Sequence, residues 1–345
     1  MRLPCLHFTF YVPPSPCYAI FYLSFLLGIA ASTYGKTPSP QQLADYPNQL
    51  TRDGDLVLLP NHGTVYIATD FHAHWGDFHQ WLRQTQLAER IQAEEDVYGL
   101  ILGDAVDHKP GDQIYEAYGD IRIVDWIMQF QQQLGANGER LIYIKGNHEF
   151  AAADTYAMLK KRGMNPNNRQ RVIDELYRSS QGAYFRQWNF IERMTDEHYD
   201  YLINLPVAAV GKNGVVAIHA GTSRTTKSLA DLAHPSSKVL EEMLWARPAV
   251  AQAGGYTPSQ TDAFLDRIGG RLLIVGHTPL AYFPQKNVKG GVARLGQRQA
   301  IFATGYGAMP GQQVYLVIDL ARQYDSAFDL KYGVEIRPLY PEKGK

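Results

Sequence analysis

Cysteine is nearly missing from this chain: Cys5 and Cys17 are the only two among 345 residues. Beyond residue 17 no disulfide framework, CxxC site or thiol nucleophile is possible. Any bound metal must therefore be held by His, Asp, Glu or Asn, donors that suit Mn, Fe or Zn better than thiolate-held clusters. An excess of charge of either sign is missing too. The 33 basic and 34 acidic residues leave a formal net charge of −1. No long-range field gathers polyanions, which argues against a general nucleic-acid binder.

Long apolar runs are confined to residues 18–31, YAIFYLSFLLGIAA, a stretch of 14 residues without a charge. A spanning helix needs about 20 such residues, whereas a signal-peptide core needs fewer. Ala30, Ala31 and Ser32 follow as a candidate cleavage site. Residues 1–33 are expected to be a signal peptide or membrane anchor, giving an exported or membrane-associated protein. The alternative is a false upstream start and a cytoplasmic protein. Residues 34–49 are polar and proline-rich and read as a linker, so one domain is expected over 50–345. No internal repeat or low-complexity block interrupts it.

With 45% hydrophobic and 19% charged residues, the chain has ample material for a core, and global disorder is excluded. Short aliphatic runs end in polar clusters: TVYIATD (64–70), VYGLILGD (97–104), RLIYIKGNHE (140–149), GVVAIHAG (214–221) and RLLIVGHTP (271–279). These read as buried strands. Helical spacing lies between them at 77–95, 121–134, 153–162, 168–178, 195–204 and 235–246, which predicts α/β layers. The tail segments QAIFATGYG, QQVYLVIDLA and YGVEIRPLY predict added antiparallel strands. The polar clusters fall where open α/β sheets bind ligands, just past the carboxyl ends of strands.

Five clusters carry the chemistry. Asp70 and His72 stand two apart after the first strand. Gly103 lets the backbone turn sharply into Asp104, with Asp107 behind it. Asn147 and His148 lie in GNHE, and His219 and His277 each close an apolar strand. Singly, each is more often a solvated turn or a hydrogen-bonded histidine. Together, in this order and at five strand ends, they suit two divalent cations that clamp a phosphoryl oxygen and activate water. That is phosphate-ester hydrolysis.

These motifs resemble those of the calcineurin-like metallophosphoesterases: D-x-H, GD-x-x-D, GNHE, a later His, and GH-x-H or a single His. GHTP with one His, the segment INLPVAAVGKNGVVAIHAG and LWARP resemble the phosphoprotein phosphatase branch, above all the bacterial Shewanella-like protein phosphatases. The resemblance implies a four-layer αββα sandwich of two mixed β-sheets flanked by helices. It also implies two divalent ions (Mn, Fe or Zn). Asp70 and His72 would hold the first, Asp104 would bridge, and Asn147, His219 and His277 would hold the second. A metal-bridging hydroxide would attack, with His148 as general acid and Asp107 orienting its ring.

Three departures stand out. His108-Lys109-Pro110 replaces the usual Arg-Gly after Asp107, so Arg247 of LWARP becomes the main expected phosphate contact, with Lys109 or His108 as a weaker partner. Ala73 stands where the family has Gly, tightening the first turn. IHAG lacks a second Gly. His74 and His79 read as surface residues of the following helix, and His62, His198 and His234 show no partner pattern. Residues 109–120 and 161–171 read as substrate-facing insertions or solvated connections. The expected substrate is a phosphorylated protein, at Ser/Thr or Tyr, or a small phosphoester. No nucleic-acid partner is expected, and membrane contact would run through residues 18–31. A nucleotide phosphodiesterase or dinucleoside polyphosphate hydrolase, and a noncatalytic metal-binding scaffold, are the alternatives.

Overall fold

The computed structural model describes residues 43–108, 116–180, 188–305 and 313–340. The expected leader (1–33), most of the linker and Lys109 lie outside these residues. The described residues form one compact unit.

Seven strands occupy the first two thirds of the chain: β1 (Thr51–Asp53), β2 (Leu56–Leu59), β3 (Thr64–Ala68), β4 (Val97–Ile101), β5 (Leu141–Tyr143), β6 (Ala208–Gly211) and β7 (Val215–Ile218). Six more follow: β8 (Leu272–Val275), β9 (Val288–Lys289), β10 (Val292–Leu295), β11 (Gln299–Phe302), β12 (Val314–Asp319) and β13 (Ile336–Pro338). One sheet has the order β13-β12-β3-β4-β5, with β3, β4 and β5 parallel. The other has the order β1-β2-β6-β7-β8-β11-β10-β9, with β7, β8 and β11 parallel. The tail strands add antiparallel pairs as expected: β10 with β11, and β12 with both β3 and β13.

The helices are α1 (Trp75–Thr85), α2 (Leu87–Gln92), α3 (Gly119–Leu134), α4 (Asn147–Lys161) and α5 (Arg169–Ser180). After them come α6 (Trp188–Ile191), α7 (Asp196–Ile203), α8 (Ala230–Ala233), α9 (Ser237–Trp245) and α10 (Pro258–Ile268).

The period-2 geometry of a strand explains the layers. Val65 and Ile67 of β3, Leu316 and Ile318 of β12, and Leu272 and Ile274 of β8 share one apolar core between the sheets. Their neighbours face the other way. Ala68 and Tyr315 pack with Phe78, Trp81, Ile127 and Leu159 under the first helical layer. Leu273 and Val275 pack with Met243, Phe264 and Leu265 under the second. Strands buried on both faces explain the continuous apolar runs, and the result is two mixed sheets flanked by helices.

Two helix boundaries differ from the sequence reading. The stretch 77–95 is broken at Gln86, whose φ of 51° ends α1 and starts α2. Phe78, Trp81, Leu87 and Ile91 still enter one core, so the apolar pattern runs through the break. The helix expected at 153–162 starts six residues earlier, at Asn147. There Glu149 reaches back to accept the Gly146 N–H at 2.8 Å, the N3 half of a capping box, since glycine has no side chain to supply the other half. Strands β1, β2, β6, β9 and β10 and helix α10 were not among the sequence expectations. The helix carries ordinary signals all the same: Thr257 as N-cap, Pro258 in the first turn and Gly269 at φ 71° just past its end.

Candidate metal centre

Both sheets deliver their chemistry at the carboxyl ends of parallel strands. β3 leads into Asp70 and His72, β4 into Asp104 and Asp107, and β5 into Asn147 and His148. From the other sheet, β7 leads into His219 and β8 into His277. The turns are laced together by backbone hydrogen bonds: the N–H groups of Asp70, His72 and Ala73 donate to the carbonyls of Gly103, Asp104 and Ala105 at 3.1, 2.8 and 2.9 Å. The Gly276 N–H donates to His219 O at 2.9 Å, tying the ends of β7 and β8.

This lacing holds backbone that ordinary residues avoid. Asp70, His72, Ala73, Asp104, Asp107 and His277 all have φ between 45° and 72°. Each such residue costs about 1–3 kcal/mol and persists only where its surroundings over-determine it. Ala73, at φ 66°, adopts the conformation that a glycine would take freely. Gly103 has a second reason to be glycine, because a Cβ there would meet Gly146 N at 2.4 Å and Gly146 Cα at 2.5 Å. The second and third motifs touch backbone to backbone.

The side chains converge around Asp104. Its Oδ1 lies 3.4 Å from His219 Nε2, which in turn lies 2.9 Å from Asn147 Oδ1 and 3.2 Å from His277 Nδ1. Its Oδ2 lies 3.7 Å from His72 Nε2, and His72 Nε2 lies 3.6 Å from Asp70 Oδ1. One carboxylate thus turns each oxygen to a different donor cluster. Donors about 2.1 Å from a shared cation sit roughly 3.0–3.4 Å apart; the second cluster, at 2.9–3.4 Å, has that spacing, the first, at 3.6–3.7 Å, is slightly wider, and the chemistry of the set fits a pair of divalent ions. Groups that could hold an ion are His72, Asp104 and His148, and Asp104, His219 and His277.

Partners behind these donors fix which ring nitrogen faces inward. His219 Nδ1–H donates to Leu102 O at 2.6 Å and His72 Nδ1–H to Asp107 O at 3.0 Å, leaving each Nε2 toward the centre. Asp70 accepts the His277 N–H at 2.9 Å and the Thr69 hydroxyl at 2.6 Å. Burial works against the Asp70 carboxylate, but His72 and His219 outweigh it and hold its carboxyl below the usual range. At Asp104 burial is again the largest influence, yet the charges of His219 and His148 overcome it and hold the carboxyl well down. Burial pulls His219 down, while Asp104 and Asp70 pull harder and raise it to about 9.

His148 stands beside the first cluster, its ring 5.1 Å from that of His72. Its Nδ1 lies 2.6 Å from Asp107 Oδ2, and its Nε2 lies 3.7 Å from Asp104 Oδ2. Arg247 is half-buried beside the second cluster and donates from Nη1 to His277 O at 3.0 Å. His108 turns elsewhere: its Nε2 lies 3.2 Å from Glu116 O and 3.3 Å from Glu116 N, and its ring stands 5.7 Å from that of His74. Lys109 lies outside the described residues.

One histidine reading is corrected. His74 is buried, not on the surface, because its Nδ1 meets the buried Asp77 carboxylate at 3.2 Å. His198, without a partner pattern in the sequence, lies 2.7 Å from Asp125 and caps α7 together with Thr195. His79 is exposed as expected. Sequence reasoning also passed over Glu149, the last residue of GNHE, which as the third residue of α4 is placed to accept the Gly146 N–H.

The sequence profile of the calcineurin-like phosphoesterases matches residues 63–281, and the chain belongs to that family. No curated protein matches it significantly. Among solved structures it is similar to a protein serine/threonine phosphatase from Saccharomyces cerevisiae with similarity to human phosphatase PP5. Identity is 18%, 77% of each chain is covered, and the TM-score is 0.51. The cold-active protein-tyrosine phosphatase of a psychrophilic Shewanella species is 16% identical, covering 81% of this chain and 82% of its own, with a TM-score of 0.45. A metallophosphoesterase from Sphaerobacter thermophilus is 16% identical over 75% of this chain and 84% of its own, with a TM-score of 0.39.

Proposed function

We propose that this phosphoesterase is a dinuclear metal-dependent phosphomonoesterase of the phosphoprotein phosphatase branch, acting on phosphoserine, phosphothreonine or phosphotyrosine in proteins. The observation that carries the reading is Asp104, whose two oxygens face two separate donor clusters. Asp70, His72 and Asp104 would hold one cation, and Asp104, Asn147, His219 and His277 the other. When bound, such a pair polarises phosphoryl oxygens and lowers the pKa of water.

The remaining steps belong to side chains. Arg247 presents its guanidinium to the phosphate while anchored on His277 O. His148 delivers a proton to the leaving oxygen as the P–O bond breaks and water adds to phosphorus. Asp107 holds the other nitrogen of that ring, so the proton stands on Nε2. With His108 drawn to Glu116, Arg247 is the phosphate-gripping cation of the described residues, joined in this reading by Lys109. The apolar run at 18–31 would export or anchor the enzyme; among the described residues no helix is long and apolar enough to cross a membrane.

The test is release of phosphate by the purified chain loaded with Mn, run in parallel on phosphoserine peptides, phosphotyrosine peptides and a nucleotide phosphodiester. Metal-dependent turnover of a phosphopeptide that vanishes in Asp104→Asn and His148→Asn is the expected result. Turnover of the diester alone would mark a nucleotide phosphodiesterase, and metal binding without turnover would mark a scaffold.

A further inference from the structure

We propose that Tyr143 and Glu149, which the mechanism above does not use, form a positioning pair that sets where Asp104 stands between the two donor clusters. The proposal rests on the metal-centre reading and adds the device that holds its bridging carboxylate.

Glu149 lies in the first turn of α4 and is fully buried. Its Oε2 accepts the N–H groups of Asp104 and Gly146, both at 2.8 Å. Its Oε1 accepts the Ala105 N–H at 2.9 Å, the Val106 N–H at 3.3 Å and the Tyr143 hydroxyl at 2.6 Å. Five donors from the end of β5, the turn after β4 and the turn into α4 thus meet on one carboxylate. Four of them are backbone groups, so moving Glu149 moves the Asp104 main chain directly.

Asp104 is gripped from the same helical turn at its other end, where Oδ1 accepts the His148 N–H at 3.0 Å. Held at its N–H by Glu149 and at its carboxylate by His148, it keeps a φ of 53° and one oxygen toward each cluster. The pair suits only a carboxylate. All five partners donate, and an amide in place of Glu149 would set an NH₂ group against at least one of them. Tyr143 fixes the rotation: its hydroxyl pins Oε1 from the strand side, so both oxygens stay in register with the turn.

The experiment strips metal from the full chain by chelation and titrates Mn(II) into the wild type, Glu149→Gln and Tyr143→Phe, well below each unfolding midpoint. It reads the number and affinity of bound ions and the electron paramagnetic resonance signature of a coupled pair. A residue that matters only for global stability would leave both unchanged in the folded fraction. Loss of a partner behind a metal ligand costs about 10–100-fold in affinity. Glu149→Gln is expected to weaken the second Mn(II) within that range and to lose the coupled signal, with Tyr143→Phe near its lower end. Tyr143→Phe keeps all four backbone donors, so it carries the test if Glu149→Gln does not fold. Wild-type affinity and coupling in either folded variant would overturn this proposal alone. A wild type that binds no metal pair would overturn the metal-centre reading and this proposal with it.

Discussion

Asp107→Asn and His148→Asn, singly and together, test the proton path in a way that neither does alone. His148 Nδ1 lies 2.6 Å from Asp107 Oδ2, and their side chains are only 13% and 1% exposed, so water screens the contact little. A positioned general acid contributes about 10²–10⁴-fold in rate, the loss expected for His148→Asn. Asparagine at 107 still offers an oxygen, but trades a charge-assisted hydrogen bond for a neutral one, a difference of roughly 1–1.5 kcal/mol. That corresponds to about a tenfold fall in kcat. Because Asp107 acts only through the ring, the double variant should be no slower than His148→Asn. The assay is steady-state hydrolysis of aryl and alkyl phosphates. Losses should be small for an acidic phenol, which leaves without a proton, and large for an alkyl alcohol. Additive losses in the double variant, or equal losses for both leaving groups, would refute the assignment.

Three further outcomes follow from the site. Gly103→Ala combines a left-handed backbone penalty with a Cβ driven onto Gly146 N at 2.4 Å, so denaturant unfolding should show a loss of about 3 kcal/mol or more; an unchanged midpoint would mean that the two turns do not touch. Bound metal at a hundred times its Kd stabilises the fold by about 2.7 kcal/mol, so chelation should lower the thermal midpoint, and a chelator-insensitive melt would speak against the centre. Metal uptake should also track pH. His219, raised to about 9 in the metal-free chain, is protonated at neutral pH and must lose that proton to become a ligand. Apparent affinity should rise about tenfold per pH unit up to pH 9 and then level off; calorimetry showing no proton release at pH 7 would contradict this.

The parts of this molecule that the sequence made legible are those where one physical demand dominates. Strands buried on both faces leave unbroken apolar runs, so β3, β4, β5, β7 and β8 stood out, and the polar residues beyond them marked the site. β1, β2 and β6 are short and flanked by mixed composition, and β2 and β6 find each other across about 150 residues of chain. His74 read as a surface residue because its partner Asp77 sits on the next turn of a helix whose inward face is set by tertiary packing. His108 looked like a stand-in for a phosphate-binding Arg, and only coordinates reveal that Glu116 draws its ring away. Glu149 was in plain view within GNHE, but its work is to accept N–H groups from a turn more than 40 residues earlier, a link that no local pattern records.

The hydrogen bond from His277 N–H to Asp70 spans 207 positions of sequence. Closing loops of that size is slow and must precede any reward from the contacts they create. A chain cut short before β8 lacks the last imidazole and the lock on Asp70, and it also lacks β12 and β13, which complete the first sheet beside β3. The donor set is therefore complete only when both sheets are, and any metal uptake that needs all of these donors would report completely assembled molecules.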